Sequence, residues 1–292
     1  FVKFQVFSAE NLVTKRAKKA NYQKINTKKS ETQHDMLKAL ELKKQDFKKI
    51  ISYCKKYKIK FLASAFDIKS IKLLLELNQK TFKVPSGEIT NFPYLEFLGK
   101  QKKKIILSTG MSNLKEITNA MNILIRSGTK KNNISILHCN TDYPTKTEDV
   151  NLRAISLLNK KYKTKIGYSD HTLGYNVAIA AVACGSVIIE KHFTLNNNLE
   201  GPDHTTSLNP KKFRKMVIAI REIEKALGEK EKIVTQSEKK NKCIVRKSIV
   251  ALKEINPGEK FNEKNITTKR PGYDISPMKW RKVIGKISRY KY

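Results

Sequence analysis

Two of the chain's five histidines close short apolar runs that end in ionisable residues. His171 follows Gly167-Tyr168-Ser169-Asp170, and His192 follows Ile189-Glu190-Lys191. If both runs are neighbouring strands of one parallel sheet, they lie about 5 Å apart, and imidazoles at their ends can share one divalent ion. Such a pair, with its other positions open, suits Mn2+, Zn2+ or Fe2+ acting as a Lewis acid on a carbonyl. Two rim histidines held by structural hydrogen bonds are the plainer alternative, and the polar company of both favours ligation. His138 reads as structural, His204 as a candidate substrate contact, and His34 has no chemical context.

A second group is Lys83-Val84-Pro85-Ser86-Gly87-Glu88, which offers an ammonium, a hydroxyl and free amides to an anion. Ser108-Thr109-Gly110 repeats that chemistry one run later, and Ser169 adds a third hydroxyl. Ser-Gly after a strand is often only a turn. A lysine pointing inward, however, needs an anionic partner, so the loops together can hold a phosphate and a carboxylate. Glu88 beside them is a candidate acid/base; a helix-start carboxylate facing Asn91 is the alternative.

These residues need a frame, and the chain supplies one by regular alternation. Strand-length apolar runs fall at 2–5, 60–66, 81–85, 104–109, 134–140, 165–169 and 187–193. Helical periodicity falls at 45–56, 68–77, 93–98, 114–127, 152–161, 175–184 and 210–227. In the last of these Phe213, Met216, Val217, Ile220, Ile223, Ala226 and Leu227 share a face, and Asn209-Pro210 marks its start. Seven β/α repeats imply a parallel sheet. Nearly every strand ends in polar residues, as a barrel requires at its one active face, whereas an open sheet concentrates them at a switch point. No G-x-G-x-x-G or P-loop follows a strand. The expected fold is therefore a (β/α)8 TIM barrel lacking its first strand in this chain, because Val2-Lys3-Phe4-Gln5 reads like the middle of a domain. Residues 1–228 form the barrel, and 229–242 form a charged linker without periodicity. Residues 243–292 form a small β-rich domain, expected to be incomplete.

The 292 residues carry 60 Lys+Arg against 26 Asp+Glu, a net charge of +34. Fifty-one of the 60 are lysines, scattered over every expected helix, with no arginine-aromatic stripe. Nucleic-acid binding is set aside on that distribution. No window is apolar enough to span a membrane, and nothing resembles a signal peptide, so the expected location is cytoplasmic. Cys54, Cys139, Cys184 and Cys243 lack metal-binding spacing, and three lie in apolar surroundings, which suits reduced, buried thiols.

The chain resembles the sialic acid synthase family over nearly its whole length. The resemblance rests on 83–91 (KVPSGEITN), 107–112 (LSTGMS), 137–144 (LHCNTDYP), 166–173 (IGYSDHTL) and 190–203 (EKHFTLNNNLEGPD). Residues 269–280 (KRPGYDISPMKW) resemble the family's C-terminal antifreeze-like, or SAF, domain. The resemblance implies a transferase that condenses phosphoenolpyruvate with an N-acetylated amino sugar. N-acetylmannosamine is the expected acceptor, and a 2,4-diacetamido hexose of the legionaminate or pseudaminate type is the alternative. It implies phosphoenolpyruvate contacts at Lys83, Ser86, Ser108, Thr141, Tyr143 and Ser169, with Thr141 at a position that is Asn in some members. It implies Mn2+ or Mg2+ ligands at His171 and His192, a proton-moving Glu88, and sugar contacts at Ser64, Phe66 and Asp203. Arg270 matches an arginine that reaches the partner subunit's barrel, implying a domain-swapped homodimer.

Three departures stand out. The family's first strand, with its A-E-I-G-x-N-H stretch, is absent from this chain. Tyr273-Asp274-Ile275 replaces the usual Thr-Gly-Ile after Arg270-Pro271-Gly272, so a shifted loop is expected there. Thr205-Thr206 stands where many members carry Lys-Ala. A synthase using a sugar phosphate is disfavoured because only Arg16 and Arg126 precede residue 150. A binding protein without catalysis is the non-enzyme alternative.

Overall fold

The computed structural model describes residues 1–27 and 31–292. It divides into two compact units, Phe1–Gly228 and Glu229–Tyr292. The first unit begins with β1 (Val2–Val6), followed by α1 (Ala9–Leu12), α2 (Asn21–Asn26), α3 (Gln33–Leu40) and α4 (Lys44–Lys56). Strict alternation follows: β2 (Phe61–Ala65), α5 (Ile68–Glu76), β3 (Thr81–Val84), α6 (Phe92–Lys100), β4 (Lys104–Ser108) and α7 (Leu114–Arg126). It continues through β5 (Ile134–Cys139), α8 (Arg153–Tyr162), β6 (Lys165–Asp170), α9 (Asn176–Ala183), β7 (Ile189–Lys191) and α10 (Pro210–Leu227).

The seven strands pair in sequence order, and every pairing is parallel. The sheet curls as a barrel does: Lys3 on β1 and Glu190 on β7, at its two ends, come within 3.4 Å of each other. Period-two alternation then gives each strand an outer and an inner face. Phe82, Val84, Ile105, Leu107, Ile134, Ile136, Ile166 and Tyr168 belong to the main core, packed with α4–α8. Fully burying one such side chain is worth about 1.5–3 kcal/mol. The intervening residues Lys83, Ser108, Cys139, Ser169 and Glu190 face the interior, where apolar burial cannot explain them. Gly167 is needed there by packing, because a Cβ would collide with the Ile188 backbone and the Leu137 side chain.

The loops that leave the strands also start the next helices. Asp67, Asn91, Asn113 and Asn209 each accept a backbone N–H in the first turn of α5, α6, α7 and α10. Strand end, loop and helix start are thereby fixed as one piece, which holds the carboxyl ends of the strands rigid.

Several sequence expectations need correction. The described residues between β1 and α4 carry three short helices, α1, α2 and α3, that no periodicity announced. The seventh strand is only three residues long, with His192 just past its end. In α10 Met216 and Ile220 are buried against Ala178 and Val182, but Val217 and Leu227 are exposed. Cys54 and Cys139 are buried, while Cys184 and Cys243 are exposed; all four are free thiols. No helix among the described residues is long and apolar enough to cross a membrane.

In the second unit, α11 (Gln236–Val245) begins within the stretch 229–242 expected as a linker and runs three residues beyond it. Its signal is the capping box of Thr235 and Glu238 rather than an apolar face, and it buries no residue. An antiparallel pair, β8 (Ser248–Ala251) and β9 (Ile266–Lys269), follows with α12 (Trp280–Val283). Ile255 and Ile266 are its buried apolar residues, and Ile255 and Tyr292 exchange two backbone hydrogen bonds. The 270–274 loop is pinned, since Ser248 Oγ donates to Pro271 O and accepts from Asp274 N. Neither Tyr273 nor Asp274 has a positive φ, so the loop does not need the family's glycine.

Between β6 and β7, on the outer face, Lys191 Nζ lies 2.9 Å from Asp170 Oδ2 with both side chains buried. Asp170 also accepts from Thr172 N and Oγ1, which ties the His171 loop to the same pair. Lys191→Met leaves the buried Asp170 charge without its counter-ion and is expected to cost about 3–5 kcal/mol in urea unfolding. The Asp170→Asn/Lys191→Met double variant is expected to recover most of that loss. A double variant no more stable than the single would show that the pair does not hold this corner.

Candidate active site

The interior residues meet around Glu190. Its Oε1 lies 3.2 Å from Lys83 Nζ and 3.4 Å from Lys3 Nζ, and accepts the Ser169 hydroxyl at 2.8 Å. Burial pushes the Glu190 carboxyl up, but Lys83, Lys3 and Ser169 together outweigh it and hold the group well below the usual carboxylate range. Burial lowers the Lys83 ammonium, against the pull of Glu190. The arrangement is a buried carboxylate between two ammoniums, and Lys3 and Glu190 were not singled out from the sequence.

The hydroxyl groups around Lys83 are not used up by the protein. Ser64, paired in register with Lys83, and Ser108 both have buried Oγ atoms with no hydrogen-bond partner among the described residues. An unpaired buried hydroxyl costs free energy that a bound ligand restores. Ser86 Oγ accepts the Gly110 N–H at 3.0 Å and sits 3.3 Å from Cys139 Sγ. A Cβ on Gly110 would strike Thr141 Oγ1 and Ser86 Oγ, so only glycine lets these loops close together. Lys83, Ser64, Ser108, Ser86, Thr141 and Ser169 thus form one polar basin.

The two histidines stand beside it with ring centroids 5.4 Å apart. His171 Nδ1 donates to the Asn140 carbonyl, which leaves Nε2 as the lone-pair nitrogen, 3.4 Å from Ser169 Oγ. Burial, then the competition of His171 for the same proton and the charge of Lys3, pushes His192 down to about 3. Burial lowers His171 as well. Both are therefore neutral imidazoles, the form that binds a divalent ion. His192 Nδ1 lies 3.4 Å from Asp203 Oδ2, and burial raises the Asp203 carboxyl. Among the described residues no three His, Cys, Asp or Glu side chains converge on one point. The donor set fits an ion held by two imidazoles, with positions left for substrate or water.

Tyr143 completes this wall, its ring 4.2 Å from His171 and 5.5 Å from His192. Other expected residues stand apart. Glu88 accepts from Asn91 Nδ2 at 2.6 Å, and burial, opposed by Asn91 and reinforced by Asp67, raises its carboxyl. No hydrogen bond or ion pair joins it to the histidine cluster among the described residues. Phe66 packs edge-on against Phe7. His138 serves structure, its Nε2 donating to Val150 O, and His204 Nδ1 bonds to Thr194 Oγ1. Arg270 is exposed in the second unit. A further cavity of about 660 Å³ lies between α7 and α8, lined by Met111, Glu116, His138 and Leu157 and reaching Cys139 and Asn140 at the edge of the basin, with no lysine in its wall.

The chain matches known proteins along its length. The profile described as the NeuB family matches residues 1–232, and that of the SAF domain matches residues 246–291. The chain is 50% identical over 292 residues to the N,N'-diacetyllegionaminic acid synthase of Campylobacter jejuni, covering 100% of this chain and 87% of that protein. It is 39% identical over 286 residues to the enzyme of the same name from Legionella pneumophila, covering 97% and 80%. Among solved structures, the N-acetylneuraminic acid synthetase of Leptospira borgpetersenii, in complex with citrate, superposes with a TM-score of 0.71. Its identity is 31%, and the match covers 82% of this chain and 78% of that one.

Lys83→Met is expected to weaken binding of inorganic phosphate at least about tenfold in titration calorimetry, roughly 1.4 kcal/mol. Lys100→Met, which removes an exposed lysine paired with Glu96, is expected to change nothing. Equal phosphate binding by all three proteins would remove Lys83 from the anion site.

Proposed function

The chain belongs to the NeuB, or sialic acid synthase, family, and from that premise we propose that it condenses phosphoenolpyruvate with a 2,4-diacetamido hexose. The product is an N,N'-diacetyllegionaminate-type sugar acid, and phosphate is released. That the chain is a synthase of nonulosonic acids follows from its relatives as a group. The choice of sugar is carried by one observation, the 50% identity to a legionaminate synthase over all 292 residues. N-acetylmannosamine, the acceptor expected from the sequence, gives way on that ground.

Lys83 binds the anionic end of phosphoenolpyruvate, with Lys3 adding positive charge behind it. Ser64 and Ser108 donate their free hydroxyls, and Ser86, Thr141, Tyr143 and Ser169 set its orientation. His171 and His192 hold Mn2+ or Mg2+, which when bound supplies Lewis-acid polarisation to the aldehyde of the open-chain sugar. Asp203, Ser64 and Phe66 place the sugar so that C3 of phosphoenolpyruvate attacks the aldehyde carbon. Water adds at C2, and phosphate leaves by C–O cleavage. Glu88, its carboxyl raised by burial, handles the proton of the new hydroxyl or of that water. For this it must leave Asn91 and turn inward.

Residues 1–228 are the catalytic barrel, 229–242 the connection and 243–292 the SAF domain, in a cytoplasmic, domain-swapped homodimer. Arg270 of the SAF domain reaches the partner's sugar site.

The test is phosphate release from phosphoenolpyruvate with Mn2+, using N-acetylmannosamine and a 2,4-diacetamido hexose in parallel. Turnover with the diacetamido sugar is expected to exceed that with N-acetylmannosamine, and His192→Ala is expected to lower it at least about a hundredfold. Preference for N-acetylmannosamine would restore the neuraminate reading. Silence with both sugars would end the catalytic reading.

A further inference from the structure

The helix α2 (Asn21–Asn26) lies over the carboxyl ends of the strands and closes on the loop that carries Asp203. Asn26 Nδ2 donates to Pro202 O at 2.9 Å and to Thr205 Oγ1 at 3.4 Å, across 176 and 179 residues of sequence. From the same short helix the Tyr22 ring packs 4.9 Å from that of Tyr143, which itself lies 4.2 Å from His171. Tyr22, Tyr143 and His171 therefore form a continuous aromatic strip from the segment down to the ion-binding imidazoles. The segment is internally braced: Lys19 Nζ donates to Thr27 Oγ1 and pairs with Glu31, and Thr27 Oγ1 donates to Gln23 O.

We propose that Tyr22 is a specificity-determining residue of the sugar subsite. Its ring receives the methyl of an acetamido group, its hydroxyl donates to that group's carbonyl, and Asn26 latches the segment shut. The inference rests on the reading above that the acceptor is an acetamido sugar. In a basin of lysines, carboxylates and hydroxyls, this strip offers an aromatic face suited to a methyl group. The hydroxyl is a donor: burial, then the nearby charges of Asp203 and Asp142, push it up to about 12, so it keeps its proton. A hexose with two acetamido groups has one more than N-acetylmannosamine, and the strip gives the extra group a place to bind.

The test is steady-state phosphate release by the whole chain with Mn2+ and both sugars, for wild type, Tyr22→Ala, Tyr22→Phe and Asn26→Ala. Tyr22→Ala is expected to raise KM for the diacetamido hexose at least about tenfold while KM for phosphoenolpyruvate stays within about twofold. Tyr22→Phe, which keeps the ring, is expected to fall between Tyr22→Ala and wild type. Asn26→Ala is expected to raise the same sugar KM. An unchanged sugar KM in Tyr22→Ala, or equal rises for sugar and phosphoenolpyruvate, would overturn the inference and leave the proposed function standing. A wild type silent with both sugars would overturn the function, and this inference with it.

Discussion

Glu190 lets two lysines sit inside the barrel. Taking an ammonium out of water costs several kcal/mol, and a lone one would lose its proton or force the site open. One carboxylate oxygen within 3.4 Å of both Lys83 and Lys3 repays part of that cost. It also draws together β1 and β7, the two ends of the sheet. The three charges sum to +1, and with two neutral imidazoles beside them the basin is poised for an anion. His192 lies two residues beyond Glu190 on the same inner face, so whatever holds Glu190 also places the His192 ring.

The same two strands carry a second ion pair on their outer face. Period-two alternation sends Ser169, His171, Glu190 and His192 inward and Asp170 and Lys191 outward. The inner group lines the polar basin, and the outer pair anchors the loop that begins at His171. Chemistry and support are thus interleaved along one short stretch of chain. Substitutions one residue apart are therefore expected to differ in kind, one altering ligand binding and the next altering stability.

Much of this was legible in the sequence, because apolar runs at regular spacing reveal parallel strands and their polar endings reveal the active face. Lys83, Ser169, His171 and His192 could be singled out because each is a polar residue where an apolar one is expected. Glu190 and Lys3 were missed as partners: their roles depend on closure of the sheet, which local pattern does not record. The helices over residues 9–40 were missed because they are short and fixed by contacts to distant loops, such as Asn26 to Pro202. Exposure of Cys184 and Cys243 went unseen for a related reason, since apolar neighbours in sequence need not be neighbours in space. Glu88 shows the reverse limit. Its family match gives it a proton to move, yet its carboxylate is held by Asn91.

The most direct measurement is a crystal structure of the protein with phosphoenolpyruvate and Mn2+. The expected result is phosphoenolpyruvate within hydrogen-bonding distance of Lys83 Nζ, with the free hydroxyls of Ser64 and Ser108 engaged and the ion on His171 and His192. Phosphoenolpyruvate lodged instead in the cavity between α7 and α8, with those two hydroxyls still unpaired, would contradict the assignment of the basin as the reaction centre.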